Sequence, residues 1–423
     1  MAKKKELTPE EKLQQAIVPK EEQPYPLPEG WRWVRLESIC EVIMGQSPNG
    51  VETTDDSSYI PLIGGAADMG ELYLQPHQYT KKPTKISKAD DLILCIRATL
   101  GRPNFADGEY CLGRGVAAIR SNLCSKEFLR YMFLNFEQYL YDNATGSTFL
   151  SIGSSALKSM PVPFPSQTEQ IQIVEKINSY YQRLDEASKL IQHVLNLSEK
   201  RKAAILHKAF TGELTAKWRR ENNISDESWI YKAINSICKF QYGTSKKSQK
   251  EGKMIVLRMG NLQNGEIDWT NLAYTSDEAD IKKYLLKQGD VLFNRTNSPE
   301  LVGKTAIYRG EYPAIYAGYL IKLEYNSEIL GEYLNYVLNS PDAREYCYFV
   351  KSDGVSQSNI NAQKIGEFII PIPSIKEQEV IIREIHKIFT MEFQIKRISE
   401  GLIFRIDVMK KAILSKAFHG ELS

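Results

Sequence analysis

The side chains best able to do chemistry in this 423-residue chain are scattered, and each group fails a spacing test. The tetrapeptide VGKT (302–305) has the ending of a phosphate loop, in which backbone amides cradle phosphates. The glycine required five residues before Gly303 is Ser298, so a surface turn after a strand is the better reading. The acidic run ETTDDSS (52–58) offers carboxylates for a metal, but no Glu-x-Lys follows at a useful distance; it reads as a solvated loop. The five histidines, His77, His193, His207, His386 and His419, are dispersed and fit solvated or packing roles rather than a metal set. No Asn-Pro-Pro-aromatic or Phe-x-Gly-x-Gly stretch is present, so a nucleic-acid methyltransferase site is missing. Cys40, Cys95, Cys111, Cys124, Cys238 and Cys347 show no CxxC pairing and no metal spacing, the pattern of buried, reduced thiols. No catalytic residue and no metal ligand is assigned.

What remains is cationic. Lys81 and Lys82 lie in TKKPTKISK (80–88), and Arg97, Arg102 and Arg114 sit in or beside glycine-bearing loops. Further along, Lys246 and Lys247 lie in GTSKKSQKEGK (243–253), followed by Arg258, Arg295 and Lys304. Such side chains hold phosphates, and Arg, Asn and Gln read base edges. The turns TGSTFLSIGSS (145–155) and SDGVSQSNI (352–360) let a backbone approach a ligand closely. Taken one at a time, basic loops need no more than solubility to explain them. A net charge of +2, with 25% charged residues, does not announce nucleic acid either. The case for binding rests on the loops falling at equivalent places of a repeat.

That repeat organises the chain. KAAILHKAFTGELT (202–215) returns as KKAILSKAFHGELS (410–423), MPVPFPSQTEQIQIVEKI (160–177) as FIIPIPSIKEQEVIIREI (368–385), and DDLILCIR (90–97) as GDVLFNR (289–295). Two copies exclude a short-period solenoid. Each copy opens with short β-like runs: YIPLI, DLILCI and VAAIR, then MIVLRM, DVLFN and YLIKLEY. Gly, Asn, Asp and Pro lie between them, and helical patches fall at 125–140 and 331–346. The expected class is mixed α/β.

Each copy closes with a long helix. Pro163 and Pro165, and Pro371 and Pro373, force an extended lead-in. Ser166 with Glu169, and Ser374 with Glu377, have capping-box spacing. Apolar residues then follow at steps of three and four: Ile173, Ile177, Tyr180, Leu184, Ala187, Ile191, Val194 and Ile205. The second copy gives Ile381, Ile385, Ile388, Ile395, Leu402, Ile406, Met409 and Ile413. A seam this long predicts a coiled coil, with Ser198, Arg201, Glu392 and Ser399 interrupting it and Gly401 weakening it. A helix of ~45 residues spans about 70 Å. Its natural partner is the other copy, in an antiparallel, pseudo-twofold stalk with a globule at each end. The expected division is 1–25 an N-terminal extension, 26–163 and 217–371 the globules, and 164–216 and 372–423 the helices.

These words and this layout, from LPEGWRWVRLESI through KRKAAILHKAFTGELT to KKAILSKAFHGEL, resemble the specificity (S) subunits of Type I restriction-modification enzymes, from about residue 26 to the end. The resemblance implies two target recognition domains, each reading one half of a bipartite site in double-stranded DNA. It implies helices that set their separation and dock methyltransferase (M) subunits, expected as a pair, with restriction (R) subunits in the full complex. It implies a non-catalytic, cytoplasmic chain without cofactor of its own; S-adenosylmethionine, ATP and Mg belong to the partners. The second globule opens on DESWIYKAI (226–234), a departure from EGWRWVRL that leaves its start open by a few residues. Two further readings stay open on the sequence: a scaffold joining proteins without DNA, and a stand-alone DNA-modifying enzyme. No stretch of about 20 apolar residues is present, so no membrane span is expected.

Overall fold

The computed structural model describes residues 16–121, 123–355 and 357–422. The described chain divides into two compact units: one comprises the chain up to Ile191 together with the stretch from Gly401, the other Gln192–Glu400.

In the first unit an antiparallel sheet runs Glu41–Met44, Val116–Arg120, Leu92–Cys95, Gly101–Phe105. Leu92–Cys95 is buried on both faces, which accounts for its unbroken apolar run. A second sheet runs Thr53–Thr54, Gln78–Thr80, Ile60–Ile63, Cys111–Leu112, its last pair parallel. Arg32–Arg35 pairs with Pro161–Phe164, so the strands that open and close the globule lie side by side. The helix Lys126–Asn135 starts where Ser125 Oγ accepts the Phe128 amide at 3.1 Å, and it buries Phe128, Met132 and Phe133.

The second unit has the same order and directions of pairing. Its central sheet runs Cys238–Tyr242, Leu320–Tyr325, Val291–Asn294, Thr305–Ile307. Ala273–Thr275, Met254–Leu257 and Ala314–Tyr316 form the next sheet, again with a parallel last pair. Ile230–Ala233 pairs with Ile369–Ile372. The patch expected at 331–346 is two helices, Gly331–Leu338 and Pro341–Val350. Ser340 caps the second and Pro341 occupies its first position, where a missing amide costs nothing.

The first long helix runs Gln167–Asn196 and, after one irregular residue at Leu197, Ser198–Phe210. The second, Ile375–Phe418, is unbroken through Gly401. Ser166 and Glu169 form the expected capping box: the Glu169 carboxylate accepts the Ser166 amide at 3.0 Å, and Ser166 Oγ accepts the Glu169 amide at 3.4 Å. The second box is half formed. Ser374 Oγ accepts the Glu377 amide at 3.3 Å, but the Glu377 carboxylate takes Thr215 Oγ1 and Arg219 Nη1, both at 2.7 Å. A buried carboxylate facing a guanidinium is better satisfied there than by a backbone amide.

Within each unit the two helical segments run antiparallel. In the first, Lys176 Nζ donates to the Leu422 carbonyl at 3.0 Å and Tyr181 Oη to the Lys410 carbonyl at 3.1 Å. In the second, Arg201 and Ser198 meet Glu392, while Thr215 meets Glu377. The repeated word anchors the helix ends. Leu414, Ala417 and Phe418 join Ile173 and Ile177 in the first core; Leu206, Ala209 and Phe210 join Ile381 and Ile385 in the second. Gly212 (φ 84°) and Gly420 (φ 73°) then end the helices in the left-handed conformation.

The seam departs from expectation in its middle. Ile173, Ile177, Ile381, Ile385 and Ile406 are buried, and Leu184 and Ile191 half-buried. Ile395, Leu402, Met409 and Val194 are exposed. The positions taken as interruptions, Ser198, Glu392 and Ser399, are the buried ones. The reason is pairing: Arg201 grips Glu392 with two hydrogen bonds, of 2.6 and 2.9 Å, and Ser198 Oγ adds a third at 3.0 Å. Residues 385, 392, 399 and 406, spaced seven apart, are thus the buried ones, while Ile395, Leu402 and Met409 at the same spacing are exposed.

Ahead of the first globule, Val18 is buried and bonds the Trp33 carbonyl through its amide at 2.9 Å. In the N-terminal extension, TPEEKLQQAI (8–17) with Thr8 as cap has the pattern of a short helix, but it falls almost wholly outside the described residues. All six cysteines are free and buried; burial pushes the thiols of Cys95 up to about 11 and of Cys124, Cys238 and Cys347 up to about 12. Among the described residues no helix is long and apolar enough to cross a membrane.

Candidate nucleic-acid interface

In the second unit four of the predicted cations converge. Lys246, Lys247, Arg258 and Arg295 line one open cleft of about 630 Å³, floored by Thr296, Gly318 and Asn359. Arg295 leaves the central strand Val291–Asn294 and is held by its backbone: its amide donates to the Tyr319 carbonyl at 3.0 Å, and its carbonyl accepts from the Ile360 amide at 2.8 Å. Its guanidinium lies 4.9 Å from the Tyr242 ring centroid and donates through Nη2 to Asn359 Oδ1 at 3.0 Å. Its Nε is buried and has no partner among the described residues. The plane is therefore fixed while donor capacity is left over, a suitable state for a planar polar ligand.

Arg258 ends the strand Met254–Leu257 and caps the short turn Met259–Asn261. Its amide donates to Asn261 Oδ1 at 2.9 Å and its Nη2 to the Asn271 carbonyl at 2.7 Å. It also borders a second cleft, of about 480 Å³, with Gln263, Asn271, Asn297 and Lys304. There Lys304 Nζ donates to Gln263 Oε1 at 3.0 Å; burial, and then the nearby Arg344, hold its ammonium below the usual lysine range. The VGKT segment is the turn leading into Thr305–Ile307, and a Cβ on Gly303 would lie 2.7 Å from Cys347 Sγ. Lys246 pairs with Asp277 at 2.6 Å and Asp280 at 3.6 Å, so part of its charge is spent inside the unit, while Lys247 is exposed.

The first unit builds the same place with other side chains. Arg97 follows Leu92–Cys95, is exposed, and bridges Ser151 through its backbone. Arg114 donates through Nε to Ser47 Oγ at 3.2 Å. Arg102, at φ 49°, reaches the Ala66 carbonyl at 3.3 Å, in the turn that corresponds to Met259–Asn261. Lys81 and Lys82 stand apart: Lys82 pairs with Glu52 at 2.8 Å, and Lys81 lies over the Tyr59 ring.

Arg97 and Arg295 are not equivalent, contrary to the alignment of DDLILCIR with GDVLFNR. Cys95 pairs with Val116 as Asn294 pairs with Leu320. The position of Arg295 is thus that of Ile96, and Arg97 corresponds to Thr296, which bridges Asn359 as Arg97 bridges Ser151. The two ladders match residue for residue along this strand, so the arginine falls one position later in the first copy, and in an extended strand one step turns a side chain to the other face. Sequence reasoning also missed Tyr242 and Asn359, which hold Arg295; an aromatic and an amide carry no signal until pairing brings them together.

The family model for the Type I restriction modification DNA specificity domain matches residues 28–196 and again 226–400. The chain belongs to that family. Among members, the Type I restriction enzyme EcoKI specificity subunit of Escherichia coli (strain K12) is 24% identical over 94% of this chain and 90% of its own length. The StySPI specificity subunit of Salmonella potsdam is 23% identical over the same shares. In fold, the chain is similar to the HsdS subunit from Thermoanaerobacter tengcongensis (TM-score 0.60, 20% identity, 95% of this chain and 99% of that one). It is also similar to a chain solved in a study of complex assembly of the type I R-M system (TM-score 0.71, 18% identity, 94% of this chain and 100% of that one). The model matches twice, once per strand framework.

Proposed function

We propose that this chain is the DNA-recognition subunit of a Type I restriction-modification complex, not catalytic by itself, and that it reads a bipartite target, one half with each unit. One observation carries this reading: cationic side chains recur at the same place of one strand framework, lining a cleft in the second unit, while their identities differ. Arg97 and Arg114 serve the first unit; Arg258, Arg295, Lys246 and Lys247 serve the second. A shared scaffold with exchanged side chains is what reading two different short sequences requires. Lysines and exposed arginines take the phosphates, and the oriented guanidiniums and amides read base edges.

The helices serve a second role in this proposal. Two-helix packing covers the line 385, 392, 399, 406 and leaves Ile395, Leu402 and Met409 half open, with Met391 and Ile398 beside them. An apolar line at seam spacing beside a closed seam is what further helices would cover. Methyltransferase subunits, expected as two, are the proposed occupants, and restriction subunits join the full complex. S-adenosylmethionine, ATP and Mg are then the partners' cofactors. The antiparallel pairing acts as the ruler between half-sites.

Binding of duplex DNA by the chain together with methyltransferase subunits tests the reading. Affinity should fall steeply with salt, in proportion to the phosphates neutralised. Absence of target binding at low salt would leave a protein scaffold as the better account.

A further inference from the structure

Beside Arg97 in the first unit and Arg295 in the second stands a β-hairpin with an exposed apolar residue in its turn. In the first unit Thr145 and Ser151 exchange two backbone hydrogen bonds of 2.8 Å. The returning strand is tied to the strand end that carries Arg97: the Ala98 amide donates to the Leu150 carbonyl at 2.8 Å, and the Ile152 amide to the Ile96 carbonyl at 3.0 Å. Gly146 makes the turn at φ 117°, where a Cβ would lie 2.4 Å from the Phe149 carbonyl oxygen. The tip presents Phe149, 71% exposed. In the second unit Ser352–Asp353 pairs with Ser358–Asn359, and the Gly354 amide donates to the Gln357 carbonyl at 2.8 Å. This tip presents Val355, fully exposed, and its base carries Asn359, the partner of Arg295.

One exposed apolar residue on a surface is ordinary. Here an exposed apolar residue occurs in the turn of each of two matching hairpins, at non-equivalent positions, and each hairpin is tied to the strand end that carries Arg97 or Arg295. We propose that the two tips enter the major groove of the target and read thymine 5-methyl groups, Phe149 in one half-site and Val355 in the other. The inference rests on the DNA reading above. The major groove, about 12 Å wide, admits a two-stranded ribbon, and the thymine methyl is the one apolar feature that base pairs present there. The neighbouring cations supply the phosphate and base-edge contacts that hold the ribbon in place, so an apolar tip completes the readout that charge alone cannot make.

The test uses the full chain in complex with its methyltransferase subunits, on its own target, with each thymine of the two half-sites replaced singly by uracil. In each half-site one replacement should weaken binding about three- to five-fold, the effect of losing one buried methyl. Phe149→Ala should abolish that sensitivity in one half-site and Val355→Ala in the other; both side chains are exposed, so folding is unaffected. If the complex binds its target but ignores every thymine methyl, or if a half-site stays methyl-sensitive in both variants, the inference is overturned while the DNA reading stands. If the complex binds no duplex at all, the DNA reading itself is overturned.

Discussion

Phe418 closes the second long helix, and its replacement by alanine tests how the helices are anchored. The ring is completely buried, 5.4 Å from the Phe128 centroid and 6.4 Å from that of Phe136. Deleting a buried phenyl costs about 3–5 kcal/mol, of which aromatic pairing accounts for about 0.5–1.5. The chain end has little room to relax into the gap. Tyr25 Oη donates to the Phe418 carbonyl at 3.0 Å, and the Tyr25 ring stacks on His419 at 3.7 Å. A loss of about 4 kcal/mol is therefore expected, or about three decades in amide protection, at 1.36 kcal/mol per decade. Hydrogen exchange read by mass spectrometry separates the units: Lys126–Asn135 should lose protection and Gly331–Leu338 should keep it. Phe210→Ala should give the mirror result, because Phe210 packs on Tyr333 at 5.5 Å. Less than a tenfold change in Lys126–Asn135, or equal loss in both helices, would refute the view that the repeated word anchors each helix end in one core.

Further outcomes are expected. The Glu392 carboxyl is held below its usual range, first by the Arg201 hydrogen bond, so its stabilisation is present above the unfolded pKa and is lost as pH falls through the folded one. Glu392→Gln should therefore flatten the drop in urea midpoint between about pH 7 and about pH 3.5; an unchanged drop would show that this carboxylate does not govern the acid limb. Arg295→Ala should weaken binding to the correct site by about 1–3 kcal/mol and relax one position, whereas loss of folding without selective loss would assign it a structural role. Seven residues inserted in each long helix, after Ile191 and after Glu400, keep the seam in phase and add about 10 Å. The spacer should grow by about three base pairs, at about 3.4 Å each, with both half-sites unchanged; an unchanged spacer would remove the ruler role.

Much of the fold was legible because apolar spacing and duplicated words are local records of it. The runs DLILCI and DVLFN became central strands, and Pro163 and Pro371 became parts of closing strands before long helices. What could not be read depended on partners. Spacing marks residues 388, 395, 402 and 409 as well as 385, 392, 399 and 406, but which line is covered depends on where the other helix lies, and Arg201 decides it by holding Glu392. Glu377 had the spacing of a capping box and was claimed instead by Arg219 across 158 positions. Among the candidate site residues, Lys246, Lys247, Arg258 and Arg295 line one cleft, a grouping that no spacing in the sequence marks. Lys81 and Lys82 do not join Arg97 and Arg114, since Glu52 and Tyr59 engage them locally.

The central claim is that each unit reads its own half of a divided DNA site. Methylome sequencing tests it most directly, in a host carrying this chain with its methyltransferase subunits, and again after residues 226–370 are exchanged for those of another family member. The account predicts a methylated motif of two short sequences separated by an unspecified spacer, with one half altered by the exchange and the other unchanged. A single contiguous motif, or an exchange that alters both halves, would contradict it.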